Sequence, residues 1–521
     1  MTTPPRSIRR ARHRRAVILF LTLVVITIAA LAGTTMLLRA DAERAHAAAS
    51  TDDTHLRSLA WSGVRAALAE VQQQRDALLD GGTPTLTPEW TLWERDDVRA
   101  VVRLLPVEGE GSDVIVSENA RLDVNRADAA MLARLPGISD EVSRAIIAIR
   151  GSHGFASPAG IARAEGLGGD AFWGRDQAAS EADPDASALV DTPPDATPLR
   201  HLVTTFSFDP DVRMGVSRES RSAHGRERLH VASGWSDAIR DDLRGTLSDA
   251  ALQAIQGILS GAPPADERAL LTPLLAAGTT PEVWSEVLDT LTTSDDAYRL
   301  GKVDLGRAPR AVLACLPGFD ETTAERAVSV RGGLNADTLR NPAWLVTQGV
   351  LTPEQFVQAA PWVTTRSMVW RVRVEASIER SPLATGDAPT PLRRAVWEGV
   401  IDASGEQARL AEVTDVTHAA ELLRRAREQA AARARAALDA PVQPPPPVDL
   451  FPPSPPRTPP ARSGGGRPRQ DAGTPDAKDQ AGDGARTDGG TGAGGSSSGG
   501  ASGGAPEKRD RRIGRWRGGG G

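Results

Sequence analysis

Residues 121–150 read RLDVNRADAAMLARLPGISDEVSRAIIAIR. The stretch predicts two short helices joined by a hairpin, because Leu135, Pro136 and Gly137 interrupt the apolar pattern between them. Ser139 follows the hairpin and is a preferred residue for the N-cap of the second helix. The first prediction is therefore a compact pair of helices in this part of the chain.

The same pattern occurs a second time. Residues 302–331, KVDLGRAPRAVLACLPGFDETTAERAVSVR, align with residues 121–150 without a gap at a constant offset of 181 positions. The second hairpin consists of Leu316, Pro317 and Gly318, and Asp320 replaces Ser139 as the expected N-cap. The chain therefore contains an internal duplication. A weaker third copy is expected around residues 226–239, RERLHVASGWSDAI, where no Leu-Pro-Gly follows.

Helix pairs of this shape can hold a nucleic-acid phosphate on hairpin N–H groups and on the positive end of the second helix. Here Asp140 and Glu141 follow Ser139, and Glu321 follows Asp320, so carboxylates stand where a phosphate would bind. Each copy also carries five basic against four acidic residues, far from the basic stripe of a backbone binder. These observations favour a packing unit over a DNA site. In the DNA-binding alternative, the contacts would be Arg144 and Arg326.

The N-terminal region has the pattern of a membrane anchor. Residues Ala16 to Leu38, AVILFLTLVVITIAALAGTTMLL, are uncharged and long enough to cross a lipid bilayer as one helix. Six arginines precede this segment, so the positive-inside rule predicts a cytoplasmic N-terminus and an exported body. A cleaved signal peptide is the alternative, but its apolar run would be shorter.

The helical pattern continues beyond the predicted anchor. LRSLAWSGVRAALAEVQQQRDALL, residues 56–79, places apolar side chains near one face of a helix: Leu56, Leu59, Val64, Ala67, Leu68, Val71 and Leu78. We therefore predict a long spine helix that leaves the bilayer and ends at the glycines of positions 81 and 82.

Alternating segments before the first hairpin and after the second predict a small antiparallel sheet with helical domains inserted between its strands. The predicted segments are a cytoplasmic basic segment (1–15), a transmembrane helix (16–38), its exported extension (39–82), first strands (83–119), a first helix-hairpin-helix unit (120–174), a linker (175–199), a middle α-rich region (200–300), a second helix-hairpin-helix unit (301–365), C-terminal strands (366–416), a charged helix (417–440) and a Pro/Gly-rich tail (441–521) that is too polar to fold.

Nothing in the sequence predicts an enzyme. No phosphate-binding loop, metalloprotease helix, nucleophile elbow or dinucleotide fingerprint is found, and the eight histidines are scattered. The single cysteine, Cys315, is expected to be a small packed side chain. The net charge of −6 excludes a global positive field, and no Cys/His cluster has the spacing of a zinc site.

The whole arrangement resembles the type II secretion minor pseudopilin K (general secretion pathway protein K, GspK). The resemblance covers residues 9 to about 416, and its most specific part is the motif formed by Glu118, Leu122, Val124, Asn125 and Ala127. It implies an α+β fold with a pilin-like sheet and inserted helix-hairpin-helix (SAM-like) domains, and the composition adds a disordered C-terminal tail. It further implies a non-enzymatic subunit at the tip of a periplasmic pseudopilus in the bacterial inner membrane.

The partners implied by the resemblance are other minor pseudopilins, inner-membrane secretion components and the lipid bilayer around residues 16–38. No cofactor is expected, although some pseudopilins bind calcium; no acids of this sequence can be assigned to such a site. The glycine that precedes the apolar segment of pseudopilins is replaced here by Arg15, and the first glycine is Gly33. The hairpins alone also resemble the DNA-uptake receptor ComEA, which would make the protein a membrane-anchored DNA-binding module.

Overall fold

A long N-terminal helix dominates the first part of the chain. The computed structural model describes residues 7–108, 113–174, 197–380 and 391–422, together with helical positions 424, 425, 429, 432 and 435. Helix α1 (Ser7–Gln73) includes the predicted transmembrane segment and most of its extension. The helix is interrupted at Gln74, whose side-chain amide bonds both the N–H and the C=O of Thr85, and it resumes as α2 (Arg75–Leu79). The spine thus ends at Leu79, just before the two glycines that the sequence predicts as its end.

The first half of α1 is apolar and uncovered. Among the described residues, one helix is long and apolar enough to cross a membrane, and none of its apolar window is buried. The side chains of Leu19, Phe20, Ile26 and Leu37 are each more than 60% exposed. This arrangement is compatible with a membrane anchor, because an apolar surface of this size is unfavourable in water and is normally covered by lipid or by another protein.

The second half of α1 packs across an antiparallel sheet. The sheet has the strand order β1-β2-β12-β13-β14, and β3 pairs with β12 beyond the end of β2. Its strands are β1 (Glu89–Arg95), β2 (Val98–Leu105), β3 (Ile115–Ser117), β12 (Val369–Arg380), β13 (Pro391–Asp402) and β14 (Arg409–Asp415). The sheet therefore joins strands from before and after the predicted helical domains, as the alternating segments indicate.

The helix approaches the sheet closely because two glycines lie in the interface. Leu56, Ala60, Val64, Ala67 and Val71, spaced three or four residues apart, form one buried stripe. A Cβ on Gly63 would lie 2.3 Å from Val102 Cγ1, and a Cβ on Gly399 would lie 2.8 Å from Val64 Cγ1. Of this stripe, the sequence pattern identifies all residues but Ala60, and it gives no sign of the role of Gly63.

The other face of the sheet carries ion pairs beside a small apolar cluster of Phe206, Val369 and Val400. Glu379, which is 1% exposed, pairs with Arg99 at 2.8 Å and with Arg103 at 2.7 Å. Arg373 and Arg371 pair with Glu398 on the neighbouring strand. The aliphatic stems of these long side chains cover the strands, so the sheet needs no second layer over these positions.

Three helical units are inserted between β3 and β12. The first unit contains β4 (Leu122–Asp123), α3 (Ala129–Leu132), α4 (Asp140–Arg150), α5 (Gly169–Trp173), α6 (Leu199–Leu202) and β5 (Val203–Thr204). The middle unit contains β7 (Leu229–His230), α7 (Asp237–Leu243), α8 (Asp249–Leu259), α9 (Glu267–Ala276), α10 (Pro281–Thr290) and β8 (Leu291–Thr292). The last unit contains β10 (Val303–Asp304), α11 (Arg310–Leu313), α12 (Glu321–Arg331), α13 (Ala336–Arg340), α14 (Trp344–Thr347), α15 (Pro353–Ala359) and β11 (Val363–Thr364).

Each unit is closed in the same way. Its first and last strands are two residues long and pair in parallel: β4 with β5, β7 with β8, and β10 with β11. In every unit a hydrophobic residue and a threonine form the closing strand, namely Val203-Thr204, Leu291-Thr292 and Val363-Thr364. Two further strands, β6 (Phe208–Pro210) and β9 (Tyr298–Leu300), pair with each other on either side of the middle unit.

The duplication is confirmed residue by residue. α3 and α11, and likewise α4 and α12, have bounds that differ by the same 181 positions as the sequences. Arg150 donates hydrogen bonds to the carbonyl oxygens of Val124 and Ala127 at 3.1 and 2.6 Å. Arg331 donates to the equivalent oxygens of Leu305 and Ala308 at 3.0 and 2.6 Å. The same arginine therefore holds the second helix of each pair against the loop that precedes the first.

The middle unit is a third copy, as the weak resemblance at residues 226–239 predicts. Its helix α8 has eleven residues, like α4 and α12, and begins after an N-cap serine, Ser248. Its hairpin glycine, Gly245, has φ +82°, close to the values of Gly137 and Gly318. The hairpin contains no proline and has one more residue before the N-cap, which explains why the motif is hard to see in the sequence.

Some predicted segments lie outside the described residues. These are positions 1–6, most of the linker at 175–199, most of the charged helix at 417–440 and the whole tail at 441–521. Residues 417–422 are helical, so the charged helix begins where the sequence predicts.

We predict that Gly63→Ala lowers the free energy of unfolding by about 1–3 kcal/mol, because the new methyl group overlaps Val102 in a packed interface. Gly257→Ala is the matched control. It also lies in a helix, α8, but its added Cβ would meet no atom within 4 Å, so it should be neutral or stabilise the fold by about 0.5–1 kcal/mol. Denaturant unfolding of the full chain in detergent, followed by tryptophan fluorescence, measures both. Equal effects of the two variants would contradict the close contact.

Candidate functional site

The two predicted hairpins have the backbone geometry of the helix-hairpin-helix motif. Gly137 and Gly318 both have positive φ, +75° and +84°, a conformation that favours glycine. Leu135 and Leu316 are buried beneath the turn, while Pro136 and Pro317 are half-buried. Ser139 accepts a hydrogen bond from Val142 N, and Asp320 forms a capping box with Thr323. The expected N-caps are thus in place.

Carboxylates occupy the anion position at the start of both second helices. The Glu141 carboxylate accepts a hydrogen bond from the Ser139 hydroxyl at 3.0 Å. Its own backbone N–H and that hydroxyl lower the pKa of Glu141. The backbone N–H and then the hydroxyl of Thr323 lower the pKa of Asp320 in the same way. The donors that would meet a phosphate therefore already have a negatively charged partner from the chain itself.

The two hairpins differ in accessibility. Gly137 is exposed, and a Cβ there would lie 3.7 Å from Ala171. Gly318 lies against α15, where a Cβ would be 2.3 Å from the Gln355 carbonyl oxygen. Arg134 of the first pair also donates hydrogen bonds to the carbonyl oxygens of Leu316 and Phe319 in the second hairpin, at 3.3 and 3.2 Å. The second hairpin is therefore a packing element, whereas the first remains open.

In the DNA-binding alternative, the contacts would be Arg144 and Arg326. These two arginines do not occupy equivalent positions in the two copies of the duplicated segment. Arg144 corresponds to Glu325 in the duplicate, and Arg326 corresponds to Ala145. Arg144 bonds the Asp140 carbonyl oxygen at 3.0 Å and pairs with Glu141 at 3.4 Å. Arg326 is exposed beside Gly349. Each arginine is accessible, but nothing in the duplication gives the two the same role.

Glu118, the acidic residue of the sequence motif, is the centre of a buried junction. Its carboxylate is fully buried and accepts hydrogen bonds from Arg121 at 2.9 Å, from Arg371 at 2.6 Å and from the Thr204 hydroxyl. Burial alone would raise the pKa of Glu118, but the charges of Arg121 and Arg371 outweigh it and lower the pKa to about 2. Glu118 thereby ties the start of the first unit to its end and to β12.

The other motif residues, and Asn119 beside Glu118, have structural roles as well. The Asn119 side-chain oxygen accepts the N–H groups of Met368 and Val369 where the chain returns to the sheet. Asn125 bonds the N–H of Phe155 at 2.6 Å and its C=O at 3.0 Å. Leu122, Val124 and Ala127 are buried in the core of the helical units. The motif is accounted for by folding, without a ligand.

A second buried junction connects the middle unit with the last one. Asp209 accepts from Arg366 Nε at 2.6 Å, from Arg299 and from the Thr364 hydroxyl. Burial opposes its ionisation, but the charges of Arg366, Arg299 and Arg228 outweigh this effect and hold the pKa of Asp209 well below its usual range. Sequence reasoning missed this junction because its members are far apart in the chain.

A small cavity of about 40 Å³ lies beside this junction. Its charged lining residues have partners: Lys302 pairs with Glu267 at 2.7 Å, Arg228 with Asp211 at 3.2 Å, and Asp289 accepts the N–H groups of Met214 and Gly215. The volume is enough for a few water molecules. Within the described residues, no group of three or more His, Cys, Asp or Glu could hold a metal ion.

Cys315 is buried, as expected, and lies in the turn that follows α11. Burial raises the pKa of its thiol to about 12, so the thiol is protonated near neutral pH. Its Sγ donates to the carbonyl oxygen of Ala311. These observations fit a packed side chain.

The comparisons with known proteins support the hairpin. Residues 117–174 match a family described as the helix-hairpin-helix motif. The match spans the first unit from β3 to α5 and leaves the second copy outside. A search of curated proteins gives no match for the chain. The chain is therefore shown to contain this motif together with an N-terminal helix apolar enough for a membrane.

Glu118→Gln tests the first junction. We predict a loss of about 3 kcal/mol at neutral pH, the lower end for a broken buried pair, because Arg121 keeps Glu108 and Arg371 keeps Glu398. Since the folded pKa of Glu118 is below its usual value of 4.5, its contribution is full above about pH 4.5 and is lost as the pH falls towards 2.

The difference between wild type and Glu118→Gln in unfolding free energy should therefore be constant from pH 5 to 8 and shrink below pH 4.5. Glu325→Gln, on the exposed face of α12, is the matched control and should remain close to wild type at every pH. A difference that does not depend on pH would show that the charge of Glu118 is not what holds the junction.

Proposed function

We propose that this chain is a non-enzymatic minor pseudopilin of a type II secretion system. One observation carries the proposal: α1 is apolar and uncovered over residues 19–38, while its second half is buried across an antiparallel sheet. A helix whose first half is apolar and uncovered, and whose second half packs on a small sheet, suits a protein that assembles through the helix and exposes a globular head. The GspK-like motif around Glu118 and the helical insertion add to this picture.

In the proposed function, the protein spans the bacterial inner membrane once, with its N-terminus in the cytoplasm and its head in the periplasm. The head would stand at the tip of the pseudopilus and act in protein export. The partners would be other minor pseudopilins and inner-membrane secretion components. The inserted units would serve as rigid packing bodies, since the buried ion pairs of Asp209 with Arg366 and of Glu118 with Arg371 join the segments that flank them.

The proposal is tested by crosslinking in the native bacterium. A photoreactive residue at Val25, in the apolar segment, or at Ala45, in the uncovered extension, should crosslink to other single-span proteins of the pseudopilin class. The same residue at Glu406, at the opposite end of the sheet, is the control and should not, because α1 is the proposed assembly surface. Deleting the chain should abolish release of secreted proteins into the medium. Unchanged secretion together with adducts only to lipid would contradict the proposal.

A membrane-anchored DNA-binding protein that resembles ComEA is the second candidate, and the motif match at 117–174 is the observation that favours it. The geometry restricts it to the first hairpin, since the second is covered by α15. The experiment must use the full chain in detergent, because a fragment that begins at residue 83 would lack the buried stripe of α1.

We expect the wild-type chain to leave duplex DNA unshifted in a low-salt gel assay, because Asp140 and Glu141 repel the phosphate. The double variant Asp140→Asn, Glu141→Gln removes this repulsion and tests whether the two carboxylates are the reason that DNA does not bind. A wild-type shift that disappears steeply with salt, and that weakens in Arg144→Ala but not in Arg326→Ala, would instead establish the DNA-binding function at the first hairpin.

A further inference from the structure

The first and the last helical unit each place an aspartate at the same point of their closure. Asp123 ends β4 and Asp304 ends β10, and both side chains are buried. The residue that pairs with each of them in the closing strand is a threonine. The closing segments are also alike, because residues 203–208 read VTTFSF and residues 363–368 read VTTRSM. The two aspartates can therefore be compared as one position in two copies of the same structure.

The carboxylate of Asp304 has a full set of partners. It accepts hydrogen bonds from the N–H of Gly306 at 2.8 Å, from Arg307 Nη1 at 2.6 Å and from the Ser367 hydroxyl. The guanidinium of Arg307 also lies over the Trp370 ring, 5.2 Å from its centroid, so its position is fixed. A positive charge bonded directly to this carboxylate compensates for its burial.

The carboxylate of Asp123 has no bonded counter-charge. The N–H of Asn125 donates to it at 2.8 Å, as the equivalent N–H does in the last unit. Arg126 stands where the last unit has Arg307, but its side chain is exposed and its stem lies against Gly301, where an added Cβ would be 2.7 Å from Arg126 Cβ. Among the described residues, no ion pair reaches the Asp123 carboxylate, although charges act on it from a distance.

The serine of the closing segment also has a different partner in the first unit. Ser207 stands where the last unit has Ser367, but its hydroxyl donates to the Lys302 carbonyl oxygen at 2.8 Å. The two side chains that satisfy Asp304 in the last unit are therefore both engaged elsewhere in the first.

The surroundings of Asp123 favour its protonated form. Burial raises the pKa of Asp123 from 3.8 to about 6, and the N–H groups of Asn125 and Ser207 and the charges of Arg126 and Arg150 oppose this rise only in part. Arg150, on α4, already donates its hydrogen bonds to two carbonyl oxygens of the unit. The ionised carboxylate is thus buried without a direct partner of opposite charge.

The other charged groups of this closure do not compensate for Asp123 either. Glu118 accepts hydrogen bonds from two arginines, which are thereby already paired. The ammonium group of Lys302 pairs with Glu267 at 2.7 Å. Ionisation of Asp123 therefore adds a negative charge that no neighbouring side chain takes up.

We propose that Asp123 makes the closure of the first unit sensitive to pH, with β4 held tightly against β5 when the carboxylate is protonated and less tightly when it is ionised. The last unit lacks this response, because Arg307 pairs with Asp304. The first unit is also the one whose hairpin is open, so a change of pH around the protein would act on the accessible unit. The inference rests on the fold and not on the proposed function.

The test compares two equivalent backbone amides in the same molecule. The N–H of Val124 bonds the Thr204 carbonyl oxygen at 3.0 Å, and the N–H of Leu305 bonds the Thr364 carbonyl oxygen at 2.9 Å. Hydrogen-exchange mass spectrometry with single-amide resolution, on the full chain in detergent, gives the protection factor of each amide from pH 5 to pH 8 after correction for the intrinsic exchange rate.

The protection factor of Val124 should fall about tenfold from pH 5 to pH 8, because an opened unit with an ordinary aspartate pKa releases the proton that the closed unit retains up to about pH 6. The protection factor of Leu305 should stay level. Asp123→Asn should abolish the fall at Val124, whereas Asp304→Asn, the matched control, should leave that fall intact.

A protection factor of Val124 that does not change with pH in the wild type would overturn the proposal, as would a fall that persists in Asp123→Asn. A fall of equal size at Leu305 would also overturn it, because the response would then belong to the whole molecule. The wild-type pH series decides the matter even if Asp123→Asn unfolds the unit. None of these results depends on secretion or on crosslinking partners, which bear separately on the proposed function.

Discussion

The close approach of α1 to the sheet is the contact on which the rest of the fold depends. At Gly63 and Gly399 the helix backbone and the strands come nearer than any side chain would allow. This contact gives one face of the sheet its apolar layer, whereas arginine and glutamate side chains cover much of the opposite face. β12 and β13 complete that layer. The buried stripe of α1 is therefore covered only after these two late strands have joined the sheet.

The helical insertion is compatible with this sheet because each unit closes on itself. A two-residue parallel pair brings the end of each unit back beside its beginning, so the chain leaves β3 and returns to β12 at nearly the same place. The buried carboxylates of Glu118 and Asp209 lie at these closures and are ionised because arginines from other segments surround them. Removing either carboxylate would take one counter-charge away from the arginines around it, and this costs more in a site from which water is excluded.

The sequence predicts features that depend on local spacing, but it does not predict contacts between residues that are far apart in the chain. The spine stripe from Leu56 to Val71, the two Leu-Pro-Gly hairpins and their N-caps follow from local rules of spacing and capping. The partners of Glu118 could not be predicted, since Arg371 lies on a strand some 250 positions later and no local pattern selects it. The middle unit was only faintly visible, because an additional residue and the lack of proline alter its hairpin. The shared hydrophobic-threonine pair at the end of each unit was the signal that could have revealed it.

The order of the strands has a consequence for how the molecule is made. β2 finds its neighbour β12 only after the three helical units have been synthesised, whereas each unit can complete its own parallel pair as soon as its last threonine appears. Non-local pairings of this kind form slowly, because the intervening chain must first be brought into place. The buried stripe of α1 is therefore the last surface to be covered, and it stays accessible to chaperones until the final strands have been made.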